Sequence, residues 1–249
     1  MSDLLTVTDQ INREVTFPFP PKRIISLVPS QTEFLLDIGA PVVGRTKFCV
    51  HPAAEVKNLE VIGGTKKFRF DKIKELTPDL IIGNKEENYQ EGIEELIQEF
   101  PVWMSDVFTL DDAFEMMSSL GKICDLETES DSIVHECQVA LNAVKGTCSG
   151  KVIYMIWKDP WMAAGKNTFL DHLLTFLGYQ NLVTSDRYPE LITEEVTALN
   201  PDNILFSSEP FPFKHSHLEV AKSQWPKANS QLVDGELYSW YGSRLRNWK

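Results

Sequence analysis

The feature that most constrains the fold of this chain is an internal near-repeat. Residues 71–83 read DKIKELTPDLIIG, and residues 194–206 read EEVTALNPDNILF. Aligning the proline of each segment, an offset of 201 − 78 = 123 residues, also aligns an acidic residue at each start, Asp71 and Glu194. Three further pairs match: Leu76 with Leu199, Asp79 with Asp202, and Ile81 with Ile204. A near-repeat at this spacing predicts two similar lobes.

Strand-like and helix-like segments alternate in each lobe. Arg23–Val28 is apolar and β-branched, which is typical of a buried strand. Ser30 and Glu33 then predict a capping box at the start of a helix. The alternation continues to residue 104 and starts again with the apolar segment KVIYMIW at 151–157. This order predicts an α/β fold with a parallel sheet in each lobe.

The stretch between Thr109 and Thr147 has no strand signal and no proline. Its apolar positions follow the helical period, so it predicts one long helix, or two with a break near Leu126. We therefore divide the chain into an N-terminal α/β lobe (1–108), a bridging helix (109–148) and a C-terminal α/β lobe (149–249). Two lobes joined by a helical bridge predict a ligand cleft between them.

Composition limits the classes of partner. Lysine and arginine total 24 against 36 acidic residues, a net charge of −12, and no basic block occurs, which argues against nucleic acid. The opening MSDLLTVTDQ lacks the pattern of a secretory leader, so the printed chain predicts a soluble, unexported protein. The cysteines form no CxxC pair and are predicted to be reduced thiols: Cys49, Cys124, Cys137 and Cys148.

Four segments together resemble a known family: RIISLVPSQTEFLLDIGAPVVGRT, LTPDLIIG, AAGKNTFLDHLLTFLGYQNL and ITEEVTALNPDNILF. They are similar to the class III substrate-binding proteins of ABC importers, the helical-backbone receptors for siderophores, haem and cobalamin. The cobalamin-binding branch is the most similar. The resemblance extends from about Arg23 to Arg246.

This resemblance implies a binding protein, not an enzyme, that delivers a metal chelate to the membrane subunits of an importer. A cobalamin-like corrinoid is the preferred ligand, and a ferric siderophore or haem comes next. The resemblance also places the two residues that meet importer arginines at Asp71 and Glu194. An N-terminal helix carboxylate favoured by the helix dipole is the alternative for both.

The resemblance also implies a periplasmic or cell-surface location, whereas the chain as printed shows no leader. The alternative is an intracellular ligand-binding or regulatory module with the same fold and no importer. In either case we predict a monomer.

Candidate ligand contacts come from the loops after each strand, since ligands of parallel α/β folds bind beyond the carboxyl ends of the strands. Aromatic rings can cover a macrocycle, and basic or amide groups can hold its polar edge. The predicted contacts are Ser30, Gln31, Phe48, Lys66, Trp157, Trp161, Arg187, Trp240, Tyr241 and Arg244. Packing of the aromatic C-terminal segment into the second lobe is the alternative for the last three, and loop packing is the alternative for Trp157 and Trp161.

Neither a catalytic site nor a metal site is predicted. The sequence has no GxSxG, Walker or HExxH motif. Two short patterns, Cys49-Val50-His51 and His215-Ser216-His217, contain metal-binding residue types but lack the spacing of a zinc module. Surface or internally bonded polar residues explain them better.

Overall fold

The computed structural model describes residues 3–249, which pack as two compact units. The first unit contains the described residues up to Val107, Asp111–Gln138 and Tyr241–Arg246. The second contains Phe108–Leu110, Val139–Trp240 and Asn247–Lys249. The chain therefore returns to the first unit near its C-terminus. The predicted segments 1–108, 109–148 and 149–249 follow chain order, whereas these units are defined by packing.

The first unit is built on a parallel sheet. Its strands are β1 (Asp3–Thr8), β2 (Glu14–Phe19), β3 (Ile24–Ser26), β4 (Val42–Arg45), β5 (Glu60–Val61), β6 (Gly63–Gly64), β7 (Lys67–Phe68), β8 (Leu80–Asn84) and β9 (Val102–Ser105). Five of them form the sheet, in the order β5-β4-β3-β8-β9 with every pair parallel. The pairs β1–β2 and β6–β7 are antiparallel hairpins that the sequence analysis did not predict.

Among the described residues, the first six helices lie between Pro29 and Val144, and three of them, Pro29–Asp37, Phe70–Leu76 and Gln90–Ile97, contact this sheet. The six are α1 (Pro29–Asp37), α2 (Ala53–Val56), α3 (Phe70–Leu76), α4 (Gln90–Ile97), α5 (Leu110–Cys124) and α6 (Glu127–Val144). The predicted helical stretch is thus two helices with a break at Asp125 and Leu126, as one of the two alternatives had it. The core is apolar and closed, since Ile25 and Ile81 on adjacent strands are both fully buried.

The second unit carries a mixed sheet. Its strands are β10 (Lys151–Trp157), β11 (Trp161–Ala163), β12 (Gln180–Asn181), β13 (Glu190–Leu191), β14 (Asn203–Ser207) and β15 (Asn229–Val233). Strand β10 pairs in parallel with β14 and β12 and antiparallel with β11. The helices are α7 (Phe169–Leu177), α8 (Thr193–Leu199), α9 (His215–Gln224) and α10 (Gly235–Ser239), followed by a 3₁₀ helix at Ser243–Asn247.

The internal repeat is a structural repeat. Helices α3 and α8 have seven residues each and end at left-handed residues, Thr77 and Asn200. Asp79 then accepts hydrogen bonds from the Lys22 and Arg23 amides, and Asp202 accepts one from the Lys151 amide. Each aspartate ties its helix-to-strand turn to the neighbouring strand, and this explains why the motif occurs twice.

Helix α1 begins differently from the prediction. Pro29 lies in the first turn and Val28 is the N-cap, with no side-chain capping bond. Proline suits this position because the helix leaves the first amides unpaired and the proline φ is already helical. The predicted capping box of Ser30 and Glu33 is therefore wrong. Within residues 3–249, no helix is both long and apolar enough to cross a membrane.

Candidate functional site

The first unit has a groove at the loop that follows β4 and at the β6–β7 hairpin. Its volume is about 480 Å³. We call it the basic groove, and its lining residues are Lys47, Phe48, Val61, Gly63, Gly64, Thr65, Lys66, Lys67, Phe68 and Arg69. It brings together two predicted ligand contacts, Phe48 and Lys66, beyond the carboxyl end of a parallel strand, where ligands of this fold class bind.

Phe48 is the exposed aromatic ring of this groove. Its side chain is 49% exposed, and the Lys47 ammonium lies 4.9 Å from the ring centroid, a cation–π distance. The Lys66 ammonium donates a hydrogen bond to the Glu86 carbonyl oxygen at 3.0 Å. An exposed ring beside ammonium groups can bind a flat ligand with a polar or charged edge.

Two glycines allow the hairpin to approach Phe48. Gly63 has a φ of +117°, and a Cβ there would lie 2.3 Å from the Lys67 carbonyl oxygen. At Gly64 a Cβ would lie 3.3 Å from Cε2 of Phe48. The hairpin is fixed to the preceding loop because the Lys47 amide donates to the Gly63 carbonyl oxygen at 2.8 Å.

Gly63→Ala is expected to lower the free energy of unfolding by about 1–3 kcal/mol, because it combines a left-handed backbone with a clash against main chain. The measurement is urea unfolding followed by circular dichroism. Gly64→Ala is the matched control and should cost less than about 1 kcal/mol, since only the Phe48 side chain must move. Equal losses for the two variants would contradict this account of the hairpin.

In the second unit, Trp157 is the exposed aromatic at the end of β10. It is 40% exposed and packs edge to face on Phe211, with ring centroids 5.5 Å apart. Phe211 lies in the loop after β14 and was not singled out by the sequence analysis. Together the two rings offer an aromatic surface at the carboxyl ends of adjacent parallel strands.

Trp161 and Arg187 have structural partners in the same unit. Trp161 stacks on Phe213 at an interplanar angle of 9° and packs against the apolar core. Arg187 has a left-handed backbone with φ of 65° and donates to the Asn167 carbonyl oxygen at 2.9 Å. Its guanidinium lies within 6 Å of two aromatic rings, those of Phe108 at 5.9 Å and Tyr188 at 5.8 Å. Arg187 is thus held in place, while its partial exposure leaves it available to a ligand.

Ser30 and Gln31 lie inside the first unit. They are 2% and 0% exposed, respectively. The Gln31 amide group donates to the Ser105 hydroxyl, which also accepts a hydrogen bond from Asn84 at 3.0 Å. These contacts stabilise the carboxyl ends of β8 and β9 from within. Since neither side chain offers surface to a ligand, we leave both out of the site proposed below.

The C-terminal segment is also engaged within the protein. The Trp240 indole donates to Glu209 at 2.7 Å, and the Tyr241 hydroxyl donates to Glu87 at 2.7 Å. Arg244 forms a two-pronged pair with Glu33 at 3.0 and 2.8 Å. Burial raises the pKa of Tyr241 well above its usual value, as expected for a ring that is 6% exposed. Carboxylates of the protein itself bind the three side chains of this segment. These three predicted ligand contacts are therefore not part of the proposed site.

The two Cys/His patterns do not converge on a metal site. Cys49 is fully buried and accepts a hydrogen bond from the Thr32 hydroxyl, and burial raises the pKa of its thiol. Nδ1 of His217 accepts a hydrogen bond from the Lys214 amide at the start of α9. Across the part of the chain that the structure describes, no group of three or more metal-binding side chains occurs.

The two predicted docking residues occupy equivalent places. Asp71 and Glu194 both lie in the first turns of the repeated helices α3 and α8, and both are exposed. The Asp71 carboxylate is 66% exposed and lies 3.8 Å from Arg69, a weak surface pair. Ile192, which precedes α8, is 59% exposed. Each helix therefore presents a carboxylate that a partner can reach.

Each unit thus has an exposed aromatic ring at the carboxyl end of a parallel strand, an arrangement typical of a ligand-binding protein. Residues 24–231 match the periplasmic binding protein family, and the chain belongs to that family. This confirms the resemblance and the α/β fold predicted from the sequence. The family consists of binding proteins, not enzymes.

Known proteins agree with this assignment. An uncharacterised ABC transporter substrate-binding lipoprotein of Bacillus subtilis is 26% identical over 218 residues, covering 81% of this chain and 68% of its own length. The periplasmic vitamin B12-binding protein of Vibrio cholerae superposes with a TM-score of 0.81 at 20% identity, covering 92% of this chain and 94% of that one. A periplasmic haem-binding protein from Roseiflexus sp. RS-1 gives 0.78 at 19% identity, covering 90% and 94%.

Proposed function

We propose that this protein is the solute-binding component of an ABC importer and that its ligand is a metal chelate. A cobalamin-like corrinoid is the first candidate, and haem or a ferric siderophore comes next. The name of the Bacillus relative supports the importer, and the ligands named for the two structural relatives support the chelate class. We also propose that it acts as a monomer in the periplasm or at the cell surface.

The observation that carries this proposal is an exposed aromatic ring at the ligand-binding end of each unit. Phe48 is 49% exposed and Trp157 is 40% exposed, although most large apolar side chains of the chain are buried. Exposed rings at such positions lose unfavourable contact with water when a flat apolar ligand covers them. Lys66, which lines the same groove as Phe48, and Arg187, which belongs to the second unit, are the proposed polar contacts. Trp161 supports the second unit's aromatic surface from the core.

Docking to the importer is proposed to use Asp71 and Glu194. Carboxylates in the first turns of two structurally equivalent helices can pair with arginines on two membrane subunits, since such pairs are charge-assisted and geometrically specific. The groove along Val196, Thr197 and Asn200, about 220 Å³ in volume, can receive an apolar side chain next to the Glu194 contact.

The test is titration of the purified protein with cyanocobalamin, haem and a ferric siderophore, followed by tryptophan fluorescence and calorimetry. We expect saturable one-to-one binding of one chelate. Trp157→Ala is expected to weaken it about tenfold or more, because a buried aromatic contact at the centre of a site contributes more than about 1.4 kcal/mol. Val139→Ala, which truncates an exposed apolar residue on α6, is the control and should leave the affinity unchanged. Absence of binding by all three chelates would contradict the proposed function.

A further inference from the structure

The basic groove differs in charge from the chain that contains it. Acidic residues outnumber basic ones by 36 to 24 in the whole protein. The residues that line the groove include four cations, Lys47, Lys66, Lys67 and Arg69, and no carboxylate. A local reversal of sign in an acidic protein produces a patch of positive potential that attracts anions.

These cations are only partly neutralised. Lys66 donates to a main-chain carbonyl, and Arg69 has one carboxylate at 3.8 Å. Lys47 lies over the Phe48 ring, and neither it nor Lys67 has an ion pair among the described residues. Like charges held close together repel one another, so binding an anion would relieve that repulsion.

The shape of the groove adds a second requirement. Phe48 and Val61 are exposed apolar side chains beside the ammonium groups, at 49% and 36% exposure. The glycines of the β6–β7 hairpin keep the wall near Phe48 free of side chains. A ligand that fills this groove therefore combines a flat apolar surface with an anionic edge.

We infer that the basic groove is an anion-binding subsite, and that the transported chelate presents a carboxylate or phosphate group to Lys47, Lys66 and Lys67 while its apolar surface packs on Phe48. This inference rests on the proposed function and makes its ligand more specific. Haem can supply the anion through two carboxylates, and cobalamin through its single phosphodiester. A chelate whose edge carries only neutral amides or esters does not satisfy the subsite.

The test compares matched ligands on matched variants. Haem is paired with its dimethyl ester, and cyanocobalamin with dicyanocobinamide, which lacks the nucleotide phosphate. The variant Lys47→Gln/Lys67→Gln lowers the positive charge of the groove, and Lys22→Gln/Lys122→Gln makes the same change in net charge at exposed sites outside the groove. Calorimetry at two salt concentrations gives the affinities.

We expect the groove variant to bind, in one of the two pairs, the member that carries the anionic group at least tenfold more weakly than the unaltered protein does. The member that lacks this group should bind within twofold of the unaltered protein. The pair that responds identifies the source of the anion. The control variant should bind both members normally. Equal affinities for the two members of each pair, or equal weakening of both by the groove variant, would overturn the inference while leaving the proposed function intact.

Titration with an anion that is not a chelate tests the anion-binding subsite separately from the proposed function. Benzene-1,3,5-tricarboxylate is titrated while the amide NMR signals of Gly63 and Gly64 are followed. Shifts in the unaltered protein and the control, but not in the groove variant, support the subsite even if no chelate binds, in which case only the proposed function fails. The subsite alone is overturned if these amide signals do not shift and the groove variant binds chelates as well as the unaltered protein does.

Discussion

Replacing Arg244 with alanine is expected to lower the free energy of unfolding by about 3–5 kcal/mol, because it leaves the partner carboxylate buried without its counter-charge. The Arg244 and Glu33 side chains are only 12% and 13% exposed, and two hydrogen bonds join them. Urea unfolding followed by circular dichroism measures the loss. The pair joins the C-terminal segment to helix α1 in the first unit, so its loss weakens that packing.

The loss should depend on pH in a defined direction. Burial raises the pKa of Glu33, and the Arg244 guanidinium offsets part of that rise. Without Arg244 the folded-state pKa rises further above the unfolded value. A carboxyl group with a raised folded-state pKa favours folding at low pH, and this contribution is lost as the pH rises through the folded-state pKa. The cost of Arg244→Ala is therefore expected to be smaller at pH 4 than at pH 8.

Lys74→Ala is the control at an exposed ion pair. Lys74 pairs with Glu99, and their side chains are 51% and 45% exposed, so solvent already screens the interaction. We expect a loss of about 1 kcal/mol or less. If Lys74→Ala cost as much as Arg244→Ala, burial of the Glu33 pair would not be the cause of its strength.

Replacing both Asp71 and Glu194 with arginine is expected to weaken docking to the importer at least about 100-fold. Each reversal removes a charge-assisted pair and sets like charges against each other, and losing one close pair costs about 2–5 kcal/mol. Ligand affinity should not fall, since neither residue lines the grooves described above and Asp71→Arg adds positive charge beside Arg69 of the basic groove. The measurement is binding to the reconstituted importer at low and high salt.

The control for that experiment is Glu91→Arg with Glu190→Arg. Both glutamates are exposed, one in each unit, and the double variant makes the same change in net charge, from −12 to −12 + 4 = −8. Its docking should stay within about threefold of the unaltered protein, because general charge acts mainly on the association rate. Tight docking by the Asp71/Glu194 variant would show that these two residues do not form the docking surface.

Most of the fold could be predicted from the sequence because its signals are local. The strand at Lys151–Trp157, the break between α5 and α6, and the repeated helix-to-strand turns all follow from periodicity, proline and residue type. The β1–β2 hairpin was missed, since its pattern of alternating exposure is weaker than that of a buried strand. The predicted capping box is wrong because α1 already begins at Pro29 with Val28 as its N-cap, so Ser30 lies inside the helix.

The candidate site was only partly predictable, because local signals identify loops and not the side chains that line a groove. Loop position led to Phe48, Lys66 and Trp157 as candidates, and all three lie at groove or strand-end surfaces. Lys47 and Lys67 were missed, although both lie next to residues of the same loops. Lys47 is adjacent to Phe48 and Lys67 is adjacent to Lys66, so a search for basic residues next to these two candidates would have added both.

The sequence by itself determined the order of strands and helices, the duplication of an α/β unit and the two repeated acidic residues, because these depend on neighbours within a few residues. Only the tertiary structure decided the partners of the C-terminal segment. Arg244 meets Glu33 across 211 residues of chain, and Tyr241 meets Glu87 across 154. The sequence shows the same arginine or aromatic residue whether its side chain binds a ligand or a buried carboxylate. The packing of segments that are distant in the chain decides which of the two partners it meets.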